Sequence, residues 1–281
     1  MTIAITGASG QLGRLVADQL LDVLDPAEVV LLTRDPAKLA DLAERGADVR
    51  AADFGRSAEL AGAFAGVDRV LLISTDVVGA RVEGHRAAIA AAAKAGVRHI
   101  AYTSVPEPTA DNPAGVVPDH AATEEALRES GLAWTMLRNN LYADMQVDTV
   151  TQAATSGQLV TNLGDGGAAY VTRADCAAVA VGVLTSEGHE GKAYDVTGPH
   201  AYTAADLAAL AGERSGTPVE VVQVGDDAYT AGLVAAGLPE AFAPLLTSFG
   251  AATRLGKLAT VTDVVEQVGG RPATPLSALV G

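Results

Sequence analysis

Cysteine is almost missing from this sequence: Cys176 stands alone among 281 residues. One thiol excludes an internal disulfide framework and a thiolate zinc cluster, and it reads as a small buried residue. Lysine is scarce, and the five histidines show no metal-ligand spacing, so no metal is expected. No segment approaches the roughly 20 consecutive apolar residues that span a bilayer. No basic region precedes the strand-like N-terminal segment, so a cytoplasmic protein without membrane attachment is expected. Positive charge is also in deficit, with 19 Lys and Arg against 34 Asp and Glu and a formal net charge of −15. Such a chain repels a phosphate backbone, which argues against nucleic acid as a partner. His-Glu-x-x-His, Gly-x-Ser-x-Gly and a Walker loop are all absent.

What is present is apolar material in a regular rhythm. A composition 49% hydrophobic and 19% charged can bury one large core or two modest ones. Strand-like runs at Thr2–Thr6, Val29–Thr33, Asp48–Ala51, Val67–Ile73, Arg98–Thr103 and Ala133–Leu137 alternate with helical patterns. The helices are expected at Gln11–Leu24, Ala37–Arg45, Ser57–Phe64, Val82–Ala95 and Thr123–Ser130. This alternation predicts an α/β fold, a doubly wound parallel sheet of Rossmann type. After residue 150 the pattern loosens. Ala174–Leu184 reads as helix, Lys192–Val196 as a strand, Thr203 as the cap of a helix through Leu210, and Val219–Val224 as one more strand. We therefore expect a nucleotide-binding domain over 1–150 with the chain returning to it at about 171–200. A smaller α+β substrate lobe is expected from 151–170 and 201–281. The Pro-rich stretch Ser104–Pro118 and the Gly-rich stretch Gly157–Gly167 read as irregular walls beside a site.

The motif Thr6-Gly7-Ala8-Ser9-Gly10-Gln11-Leu12-Gly13 lies between the first strand and an amphipathic helix. Glycines there allow a tight turn and the close approach of a pyrophosphate, whose charge suits the free N–H groups of a helix N-terminus. Dinucleotide-binding domains selective for NAD place a carboxylate after the second strand. This chain has Arg34 there and Lys38 one turn later, which predicts NADP and a cradle for its 2′-phosphate. Arg34 pairing with Asp35 or with solvent, and discriminating nothing, is the competing reading. Asp53 and Phe54, past the third strand, are placed to flank the adenine. Ser74, Thr75 and Ser104 end strands four and five and should face the same cleft. His120 and Glu124 share one face of a helix beside it.

Together with Leu72-Ile73-Ser74, Tyr102-Thr103-Ser104, Leu137-Arg138-Asn139, Thr172-Arg173-Ala174-Asp175 and Gly188-His189-Glu190-Gly191-Lys192-Ala193-Tyr194, these strings carry a resemblance. The chain resembles the NmrA-like branch of the atypical short-chain dehydrogenases, and within it the NADPH:quinone oxidoreductases, with triphenylmethane dye reductases as relatives. The resemblance extends over nearly the whole chain and is looser beyond about residue 215. It implies bound NADPH and hydride transfer to a quinone-like small molecule. The superfamily's Tyr-x-x-x-Lys proton relay corresponds to His120 and Glu124 here and is therefore missing. The quinone reductases follow that Glu with Lys, where this sequence has Glu125.

A quinone accepts hydride without a strong general acid, because the resulting anion is stabilised. Protein groups then orient the acceptor and hydrogen-bond its oxygens. Asn139 and Tyr142, just after the sixth strand, are the candidates, against a strand-end cap and a packed aromatic. His120 is the third, as a donor to nicotinamide or acceptor, against a local backbone cap. The same absence of a relay fits a second class, a dinucleotide-binding redox sensor without catalysis. An epimerase or dehydratase would need the Tyr-x-x-x-Lys that is lacking.

Overall fold

A computed structural model of the chain describes residues 1–56, 60 and 62–281. Its strands in chain order are β1 (Ile3–Thr6), β2 (Val29–Thr33), β3 (Asp48–Ala51), β4 (Arg69–Leu72), β5 (His99–Ser104) and β6 (Ala133–Asn139). They continue as β7 (Gln158–Thr161), β8 (Gly167–Ala168), β9 (Lys192–Val196), β10 (Tyr202–Thr203) and β11 (Glu220–Gln223). Seven of them form one parallel sheet in the order β3-β2-β1-β4-β5-β6-β9. The doubly wound α/β fold read from the sequence is therefore present. Strand order reverses between β1 and β4, and a ligand crevice opens beyond the strand ends at such a point.

Both faces of the sheet are covered, which is why its central strands are apolar without alternation. Ile3 and Ile5 of β1 pack with Val29 and Leu31 of β2 on one face, under helices Gln11–Val23 and Arg173–Thr185. Ala4, Val30 and Leu32 point to the other, where Ile89, Ala92 and Leu127 belong to helices Arg81–Ala95 and Val117–Glu129. A third apolar cluster joins Val117, Val150, Leu159, Leu207, Leu258 and Leu276 away from the sheet. Among the described residues no helix is long and apolar enough to cross a membrane.

Several local readings change. The helix expected from Thr123 begins six residues earlier at Val117, because Pro118 in the first turn starts a helix instead of prolonging the loop. The Gly-rich stretch read as irregular contains β7, which pairs in parallel with β11, the strand expected at Val219–Val224. Helix Gln146–Ser156 precedes it and has no counterpart in the sequence reading. Residues 57–59 and 61 of the helix expected over Ser57–Phe64 lie outside the described residues. Lys192–Val196 rejoins the large sheet beside β6, as expected. The tail then returns as well: helix Val264–Gly269 packs on Arg173–Thr185.

Candidate active site

The glycine motif builds a turn with three different demands. Gly7 holds φ +61°, a left-handed conformation that favours glycine. A Cβ on Gly13 would lie 2.3 Å from the Gly7 carbonyl oxygen, so that glycine is where helix and strand pack closest. Gly10 is looser, with 3.2 Å to the same oxygen, and its outer side is exposed together with Ser9 and Gln11, while the Leu12 side chain enters the core. Gly10 caps helix Gln11–Val23 without a side-chain hydrogen bond, and the first turn carries no acidic residue. Its unshared N–H groups and positive dipole end suit a phosphate.

The turn is tied to the end of β2 by the Ser9 and Thr33 hydroxyls, 2.8 Å apart. Asp35 accepts a hydrogen bond from the Ala37 N–H at 3.2 Å, capping the short helix Pro36–Leu39. Among the described residues its carboxylate forms no ion pair with Arg34, which leaves that guanidinium to solvent. Arg34 and Lys38 are exposed, and neither side chain has an ion pair or hydrogen bond among the described residues. The Asp53 carboxylate accepts from the Gly55 N–H at 2.9 Å and lies 3.8 Å from Arg56. Phe54 meets the His85 ring edge-on at 6.3 Å between centroids.

Beyond β4, a buried network fixes the loop that carries Ser74 and Thr75. The Ser74 N–H donates to Thr103 Oγ1 at 2.9 Å, and the Thr75 N–H to His85 Nε2 at 3.2 Å. His85 Nε2 is therefore an acceptor, so Nδ1–H donates to Thr123 Oγ1 at 3.0 Å, and the Thr123 hydroxyl passes its hydrogen to the Asp119 carbonyl at 2.8 Å. Burial pushes His85 down to about 4, which keeps this tautomer neutral. Buried Arg81 pairs with Asp119 at 3.1 Å and donates to the Thr75 carbonyl at 3.0 Å.

His120 is buried, with Nδ1 2.8 Å from the Tyr102 hydroxyl. Burial holds His120 well below its ordinary range and raises Tyr102 above its own. Both are neutral at pH 7, so His120 has no imidazolium proton to give. Glu124, one turn on, is closed off. Its carboxylate accepts from Ser104 Oγ at 2.7 Å, from Arg138 at 3.0 and 2.9 Å, and from Arg128 at 2.7 Å. Burial alone would raise it, but these hydrogen bonds win and hold it below the usual carboxylate range. Ser104 thus spends its hydrogen on Glu124.

Asn139 ends β6 and is buried, and its Oδ1 has no hydrogen-bond partner among the described residues. Its side chain neighbours the Tyr142 hydroxyl, which burial keeps protonated well above the ordinary tyrosine range. The Arg173 guanidinium lies 4.5 Å from the Tyr142 ring centroid, a cation–π contact. Tyr142 itself bridges to Val171. The sequence-predicted residues thus fall into two groups, one on the glycine turn and just beyond β2 and β3, the other at the ends of β4, β5 and β6 with His120 on the helix between the last two. The sequence reading passed over His85, Arg81, Tyr102 and Arg138. A signal existed for three of them: Arg81 and His85 are four apart on one helix face, and Arg138 is a charge inside an apolar strand.

Residues 7–187 match a family model described as NAD(P)H-binding. The chain is 38% identical over 278 residues to quinone oxidoreductase 2 of Escherichia coli, covering 99% of this chain and 97% of that protein. It is 32% identical over 271 residues to an NAD(P)H azoreductase of Xenophilus azovorans, covering 96% and 94%. Among solved structures, the E. coli NADPH-dependent quinone oxidoreductase complexed with NADPH superposes with a TM-score of 0.95 at 38% identity, over 99% of this chain and 98% of that one. The Citrobacter sp. triphenylmethane reductase complexed with NADP(H) gives 0.92 at 35% identity, over 100% and 99%. With the glycine turn, the seven parallel strands and these matches together, the chain belongs to the NAD(P)H-binding, NmrA-like family.

Proposed function

We propose that the chain is an NADPH-dependent oxidoreductase that passes a hydride to a quinone or quinone-like acceptor. The observation that carries this reading is the state of the two relay positions. His120 is a neutral, buried imidazole and Glu124 is a carboxylate already neutralised by two arginines. Neither supplies a strong acid, so the acceptor must be one whose reduced form is a stabilised anion. The E. coli quinone oxidoreductase, the azoreductase and the triphenylmethane reductase support it.

The residues present fit the dinucleotide. Gly7, Ser9, Gly10, Gln11, Leu12 and Gly13 would cradle its pyrophosphate, and the exposed Arg34 and Lys38 its 2′-phosphate. Asp53 and Phe54 would flank the adenine, and Ser74, Thr75 and Ser104 would line the nicotinamide side. When bound, NADPH supplies the hydride. The chain's own residues do the rest: Tyr142, held protonated by burial, donates a hydrogen bond to an acceptor oxygen. Arg173 over its ring restrains it. Asn139 holds the Tyr142 hydroxyl and keeps Oδ1 free to accept from an amide or hydroxyl of a bound ligand. His120, fixed by Tyr102, would face an acceptor only as a neutral polar group.

The proposed setting is the cytoplasm, because a single buried thiol calls for no oxidising compartment. The test is NADPH oxidation by the purified protein with a panel of quinones, with hydroquinone formed mole for mole.

A further inference from the structure

The Pro-rich connection after β5 is anchored at its far side by one short segment of the second lobe. Lys257, just beyond helix Ala243–Arg254, is 15% exposed at its side chain and donates from Nζ to Glu107 Oε2 at 2.9 Å and Asp111 Oδ2 at 2.6 Å. Within the connection, Asn112 Nδ2 donates to the Glu107 carbonyl at 2.9 Å, and the Gly115 N–H donates to Ser248 Oγ of that helix at 2.9 Å. Glu107 holds φ +41°, and it is the one non-glycine residue with positive φ among those described. A glutamate is strained in that region and persists there only when its surroundings over-determine it. Its carboxylate contact to Lys257 supplies such a constraint.

The next residue reaches the opposite wall. The Leu258 carbonyl accepts from Asn140 Nδ2 at 3.0 Å and from the Ala169 N–H at 2.9 Å. Asn140 adjoins Asn139 and lies two residues from Tyr142. A single dipeptide therefore holds the connection after β5 by its side chain and the connection after β6 by its backbone. These are the two walls between which the acceptor must fit.

We propose that Lys257–Leu258 is a strut that sets the separation of the acceptor-slot walls, and that Lys257 is a positioning residue and a determinant of acceptor size. The inference rests on the reading of the cleft as a reductase site. Two acidic partners converge on Lys257, so its grip is electrostatic and weakens with salt. Nothing in the contact involves the glycine turn, so nucleotide binding is independent of it.

The test is the Lys257→Met protein, with Lys257→Arg and Asp111→Asn as companions. Asp111 is 70% exposed at its side chain, so its substitution leaves the core alone. The expected result for Lys257→Met is roughly a tenfold rise in KM for a small naphthoquinone, kcat and NADPH Kd within about twofold, and faster amide exchange over 106–116. Lys257→Arg should restore KM. Salt should raise KM in the parent but not in Lys257→Met, and Asp111→Asn should add nothing to Lys257→Met. Wild-type KM together with wild-type exchange in Lys257→Met would overturn the strut. Exchange is read without turnover, so a parent protein inactive with every quinone would sink the reductase reading and still decide this one.

Discussion

Arg138 grips the Glu124 carboxylate with two nitrogens, Nε at 3.0 Å and Nη2 at 2.9 Å, from the neighbouring strand end. With Arg128 also on it, Glu124 is a carboxylate whose charge is already spent. The pair is structural in consequence: it pins helix Val117–Glu129, and with it His120, against β5 and β6.

Removing that carboxylate should leave Arg138 without its counter-charge in a half-buried place. Glu124→Ala is expected to lower unfolding free energy by about 2–4 kcal/mol, less than for a fully enclosed pair because Arg128 reaches solvent. Urea denaturation checks this, and Glu124→Gln, which keeps the hydrogen-bond acceptor, should lose less.

Stability should also fall early on acidification. His85, pushed down to about 4, and His99 and His120, also lowered by burial, bind a proton in the unfolded chain near pH 6.5 and stay neutral in the fold. Below 6.5 the unfolded state therefore holds more protons, and stability declines as pH falls toward 4. For His85 alone the loss at pH 5 is on the order of 2 kcal/mol. Glu124, held below the ordinary carboxylate range, adds stability above about pH 4.3 that is lost as pH falls through its folded value. Urea midpoints should be flat from pH 8 to 7 and drop between 6 and 5; a flat profile to pH 5 would contradict this.

Cofactor selection should rest on Arg34 and Lys38, whose side chains have no partner among the described residues to compete with a 2′-phosphate. Charge-assisted contacts of this kind contribute about 1.5–3 kcal/mol each before screening. NADPH should bind at least about tenfold tighter than NADH, and Arg34→Glu should abolish or reverse the preference. Calorimetry with equal affinities in the parent protein would contradict it.

The glycine turn separates ligand from fold. Gly10→Val should abolish nucleotide affinity, keep the circular dichroism spectrum and lower Tm only modestly, since its Cβ crowds the Gly7 carbonyl at 3.2 Å and that oxygen need give by only a few tenths of an ångström. Gly13→Ala, 2.3 Å from that same oxygen, should destabilise the protein itself. An unfolded Gly10→Val protein would assign Gly10 a structural role.

Much of this was legible in the sequence because the sheet is buried on both faces. Val29–Leu32 and Val70–Leu72 are apolar without a break, and such runs announce themselves. Gln158–Thr161 did not, because it is four residues long and its partner Glu220–Gln223 lies 62 residues away. Helix Gln146–Ser156 was hidden by its polar composition, with Val150 and Ala153 its buried residues. In the site, Arg34 and the glycines follow from position along the chain. The neutral Tyr102–His120 pair and the Lys257 strut depend on contacts across folded elements and leave no local pattern.

Hydride transfer from NADPH to a quinone-like acceptor at the ends of β5 and β6 is read out by steady-state NADPH oxidation with a simple benzoquinone or naphthoquinone. Turnover should run well above the spontaneous rate, with Tyr142→Phe and Asn139→Ala lowering kcat roughly tenfold or more while NADPH Kd holds within about threefold. Tight NADPH binding with no turnover on any quinone or dye would contradict it and leave a dinucleotide sensor.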